Sequence, residues 1–109
     1  MALQTLDLSD VQGMHFNVTS DGVRATFGKA LRRLILKNPS GQKRTYFTIG
    51  SAGLLASTAP STAASLASVF PYLDAGEAFE LENFITLPDE LQFKTATGDS
   101  ASNFRVIVL

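Results

Sequence analysis

The chain has 109 residues, nine basic and ten acidic side chains and a formal net charge of -1, a length suited to one domain that buries about 65% of its unfolded surface without staples. It holds no cysteine and one histidine, His15, which excludes a disulfide framework, thiolate zinc sites and histidine-rich metal sites within one chain. The even charge mix gives no long-range field for nucleic acid or anionic lipid, and no stretch has the apolar length of a membrane span, so neither partner is expected.

The start, Met1 to Leu8, has no basic segment followed by an apolar run, so a protein kept in the cytosol, or in something assembled there, is expected. On that expectation the Asn17-Val18-Thr19 sequon goes unused. Residues 1–22 alternate short apolar and polar stretches broken by Gly13 and Ser20-Asp21-Gly22. They read as an N-terminal arm and first edge strand, distinct from a domain spanning 23–109. The arm either covers its own core or docks on a neighbouring subunit through Leu3, Leu6, Leu8 and Val11.

Val23 to Phe27 and Leu31 to Lys37 are the next strand candidates, although Leu31, Leu34 and Ile35 also sit at helical spacing. Strand is preferred because Asn38-Pro39-Ser40-Gly41 follows with a type I turn signature, and Arg44 to Ile49 then supplies a β-branched and aromatic return strand. Together they predict a hairpin.

Residues 51–68 are almost all small and carry no charge. They predict a long surface loop with a short helical turn after Pro60, or a segment packing against a symmetry mate through Leu54, Leu55 and Leu66. Ala78 to Glu82 alternates cleanly, with Phe79 and Leu81 facing in. In the following strand Leu91, Phe93 and Thr95 share a face. Thr97 to Ser100 reads as a hairpin end, after which Phe104 to Leu109 carries apolar residues on both faces, predicting a central or covered strand. About eight short antiparallel strands at such spacings predict an all-β single domain, a β-sandwich or jelly roll with an extended arm and a long Ala/Ser-rich loop.

No catalytic, cofactor or metal site emerges, and a non-enzyme is expected. Glu77, Glu80, Glu82, Asp89 and Glu90 form the acidic cluster, but carboxylates on the outward face of a strand are ordinarily solvated, and no tryptophan platform accompanies them for a sugar. His15 has no nucleophile-elbow serine to serve. Gly50-Ser51-Ala52-Gly53 lacks the lysine of a phosphate loop. Arg24, Lys29, Arg32, Arg33, Lys37, Lys43 and Arg44 make the first half basic, either as a solvated face or as electrostatic complementarity to a partner.

Four features, namely Leu34-Ile35-Leu36-Lys37-Asn38-Pro39-Ser40-Gly41, Tyr46-Phe47-Thr48-Ile49-Gly50, the Pro71 to Leu81 approach, and the closing pair Leu91 to Gly98 with Arg105-Val106-Ile107-Val108, resemble small β-sandwich decoration and fibre modules of tailed bacteriophage virions. The resemblance covers about two-thirds of the chain and rests on turns and strands. It implies a virion structural protein assembled in the host cytoplasm, and within that class a capsid decoration (cement) protein. Its implied partners are further copies, a homotrimer favoured, and a major capsid or neighbouring virion protein. The interface expected is Leu3, Leu6, Leu8, Val11, Leu54, Leu55, Leu66, Arg32, Arg33 and Ile107. The alternative is a receptor- or glycan-binding fibre module using Tyr46, Tyr72 and the turn Thr97 to Ser100.

Overall fold

The structure, a computed structural model, describes residues 4–7, 13–26, 33–39, 43–49, 53–55, 59–82, 90–97 and 102–108. Within them the strands are β1 (Gln4–Asp7), β2 (Gly13–Val18), β3 (Val23–Thr26), β4 (Arg33–Lys37), β5 (Thr45–Ile49), β6 (Tyr72–Leu73), β7 (Ala78–Glu82), β8 (Glu90–Lys94) and β9 (Ser102–Val108). One helix, α1 (Ala63–Val69), precedes β6. The strands form two sheets, ordered β1-β3-β8-β5-β6 and β2-β9-β4-β7.

With one exception, each strand belongs to the opposite sheet from its predecessor. β5 and β6 share a sheet, with α1 between them. This alternation, with β2 beside β9 and β3 beside β8, is the double Greek key of a jelly roll, so the expected all-β sandwich is the architecture observed. The register within it corrects the sequence reading twice. β4 and β5 do not form a hairpin, and neither do β8 and β9, because each pair is divided between the sheets. A turn signature fixes a chain reversal, while the choice between pairing with the last strand and crossing to the other sheet depends on distant partners. The expectation of purely antiparallel pairing is also amended, since β1 runs parallel to β3.

Both strands of the 1–22 segment belong to the sheets, each at an edge. β2 is integral to the core, contributing Phe16 and Val18. The turn after it moves the chain between sheets: Gly22 N–H donates to the Thr19 carbonyl at 3.1 Å with a φ of 95°, a left-handed value natural to glycine. A Cβ there would also collide with Leu55.

The core lies between the sheets. Phe16 and Phe104 reach in from one and Phe93 from the other, with ring centroids of Phe93 5.4 Å from Phe16 and 5.1 Å from Phe104. Phe47 and Phe79 make a second bridge at 5.4 Å. Such tilted pairs add about 0.5–1.5 kcal/mol each beyond the area they bury. Asn38 fastens the crossing from β4 to β5. It is fully buried, and its Nδ2 donates to the carbonyls of Lys43 and Leu73, both at 2.8 Å. Its backbone N–H donates to Glu77 O and its carbonyl accepts from Gly76 N–H. The asparagine read as a turn former is thus a peg joining two connections.

Candidate functional site

The two outer faces of the sandwich are the places where side chains can do more than hold the core. On the five-stranded sheet, Tyr46, Thr48, Gln92 and Lys94 occupy outward positions, Tyr46 opposite Lys94 and Thr48 opposite Gln92. All four are nevertheless buried. Residues 53–55 and 59–70 cover them in part: Leu54 and Leu66 pack with Tyr46 and Ala96 in a second apolar cluster. The cover is pinned by polar contacts. Tyr46 Oη donates to the Ala63 carbonyl at 3.2 Å, Thr97 N–H to Ser61 O at 2.8 Å, and Lys94 Nζ to the carbonyls of Leu54 at 3.3 Å and Pro60 at 3.0 Å.

The sequence explains why that segment turns helical. Thr62 caps the helix, its Oγ1 accepting from Ser65 N–H at 3.4 Å, as threonine does at an N-cap. The Ala/Ser run that follows has no bulk to hold it off the sheet, and Leu66 alone within the helix is buried. Burial lowers the Lys94 pKa below its ordinary 10.5, since the ammonium has exchanged water for two carbonyl dipoles. Further along this face, Glu90 meets Arg24 at 3.3 Å and accepts from Gln92 Nε2, while Thr48 Oγ1 donates to Gln92 Oε1 at 3.4 Å.

The four-stranded sheet is different. Its register aligns His15, Arg105, Lys37 and Ala78 in one outward row across all four strands, and all four are exposed. The next row is Gly13, Ile107, Ile35 and Glu80, in which the two isoleucines are half-buried and Glu80 is exposed. Asn17 and Asn103 form a third, shorter row. Among the described residues no carboxylate meets His15, Arg105 or Lys37. Like charges set directly opposite each other across strands are unfavourable, so the fold keeps this row at a cost.

The residues expected at an interface separate accordingly. Leu54 and Leu66 are buried in their own chain and Leu55 packs beside them, so the small-residue segment turns its leucines inward rather than toward a symmetry mate. Ile107 lies on the open face. Leu6 is in β1 and Arg33 in β4, whereas Leu3, Leu8, Val11 and Arg32 lie outside the described residues.

The acidic cluster does not converge. Glu77 accepts from Asp74 N–H, Glu80 is on the outer face of one sheet and Glu90 on that of the other, and Asp89 is outside the described residues. The basic residues are dispersed too, with Arg24 in β3 and Lys37 in β4. Arg44 grips Asp74 through Nε and Nη2, which raises its pKa above the ordinary arginine value. No group of three His, Cys, Asp or Glu that could hold a metal occurs among the described residues. Of the aromatic candidates for a glycan, Tyr46 is 1% exposed, and the Arg44 guanidinium lies 4.0 Å over the Tyr72 ring.

Arg105 and His15 were not singled out from sequence as binding residues. Each is an outward position of a strand, and nothing in linear order links residues 15, 37 and 105; only the register across β2, β9 and β4 brings them together. Compared with family models, with curated proteins and with solved structures, the chain matches none.

Proposed function

We propose that this protein is a non-enzymatic, partner-binding structural module, and specifically a capsid decoration (cement) protein that binds an assembled virion shell and stabilises it by contacts between subunits. The observation that carries the reading is the outer face of β2-β9-β4-β7, where Arg105 and Lys37, exposed and without carboxylate partners among the described residues, stand beside the Ile35 and Ile107 pair. Cations facing water without partners are available to a complementary surface. The jelly-roll topology supports the setting by analogy, since viral capsid domains use it, as do lectins and cupins. A trimer is the oligomer proposed.

Comparing particles made with and without the gene tests the reading. The chain should be found in purified particles in fixed ratio to the shell subunit, and particles lacking it should open at a lower temperature. Particles free of the chain, with unaltered thermal stability, contradict the proposal.

A further inference from the structure

The chemistry of the open face also indicates what it holds. We propose that the outer face of β2-β9-β4 binds an extended acidic segment of a protein partner, with carboxylates on the row His15-Arg105-Lys37 and an apolar side chain on Ile107 and Ile35. This deepens the structural-module reading and rests on it. The chain has ten acidic residues for nine lysines and arginines, enough to pair every one of them internally, yet among the described residues Arg105 and Lys37 meet no carboxylate. A partner that supplies the carboxylates relieves the cross-strand repulsion.

The dimensions suit an extended chain. Neighbouring strands lie about 4.8 Å apart, so the row extends over about 10 Å, and same-face side chains of an extended peptide recur at about 6.5–7 Å. Two alternate carboxylates therefore fall within reach of three long or hydrogen-bonding side chains. Gly13 stands opposite Ile107 on the flank away from Ile35.

Two other occupants fit less well. Single-stranded nucleic acid is held by a basic groove with aromatic platforms, but the described outward residues of this face include no Phe, Tyr or Trp, and the chain carries a net charge of -1. A second copy packed face to face about a two-fold axis sets the Arg105 and Lys37 row against itself.

The test is a titration of the full ¹⁵N-labelled chain, followed by amide shifts, with a short acetylated peptide carrying glutamate at alternate positions and one central isoleucine. The expected result is saturable shifts confined to β2, β9 and β4, weakening as salt rises. Arg105→Glu and Lys37→Glu should each reduce affinity by about tenfold or more, with unchanged β3 and β8 amides certifying the fold. Equal binding of the glutamine version of the peptide, shifts elsewhere, no saturable binding, tighter binding of an oligo-dT of equal charge, or self-association that buries the face would each overturn the proposal. If the chain is present in particles but Arg105→Glu incorporates as well as wild type, the acidic-segment assignment falls while the structural role stands. If the peptide binds as expected and particles lack the chain, the virion setting falls instead.

Discussion

Lys94 and Arg105 are both cations at outward positions of interior strands, β8 and β9, yet their surroundings are opposite. Lys94 is buried beneath residues of its own chain and hydrogen-bonded to the carbonyls of Leu54 and Pro60. Arg105 is exposed in a row with His15 and Lys37. Among the described residues, the same jelly roll therefore covers one outer face with its own small-residue segment and short helix and leaves the row His15, Arg105, Lys37 and Ala78 of the other exposed. A cation over which the chain has folded is committed to the chain's own packing; a cation kept in water opposite a like charge serves something outside the chain.

Mutation should separate the faces by magnitude. Leu66→Ala removes the single buried side chain of α1 and should cost about 2–5 kcal/mol in chemical denaturation, with loss of protection around Tyr46. Ile107→Lys, on the open face, should leave a folded chain. Unfolding by that substitution would place Ile107 in the private core and erase the contrast. Asn38→Ala strips donors from two carbonyls at a buried crossing and should cost about 2 kcal/mol or more.

Lys94 offers a pH signature. Its folded pKa lies below 10.5, so the unfolded chain binds this proton more tightly and the stability contribution is largest above that pH. It is lost as pH falls through the folded value. The stability difference between wild type and Lys94→Met should therefore move in favour of wild type as pH rises toward 10.5, and a pH-independent difference would show that Lys94 is not desolvated. The smallest effect belongs to the open face: Arg105→Glu should change stability by within about 0.5 kcal/mol, and in the favourable direction at low salt because it relieves a like-charge pairing.

The strands themselves were largely legible in the sequence. Alternation located β7, and the apolar residues on both faces of residues 104–109 predicted the interior position that β9 holds. Pairing was not legible, because Asn38-Pro39 and the turn beginning at Thr97 specify reversal while the choice of sheet depends on partners far away in sequence. The 51–68 stretch was readable as a surface loop with a short helical turn after Pro60, but not as the cover that its described residues place over Lys94 and Tyr46, because a cover is recognised by what lies beneath it, and those two residues lie elsewhere in the chain. For the same reason the interface expected of Leu54 and Leu66 resolves into internal packing. Of the residues now assigned to the open face, Ile107 was visible as an outward apolar residue, whereas the row joining residues 15, 37 and 105 depends on register alone.

The covered-versus-open contrast is tested most directly by thiol labelling, because the natural chain has no cysteine. Thr48→Cys probes the covered face, where Thr48 is 4% exposed, and Arg105→Cys the open one. The Arg105→Cys chain should react at the rate of a free thiol. The Thr48→Cys chain should react about a hundredfold slower or more, limited by opening of the structure. Comparable rates at the two positions would contradict the account.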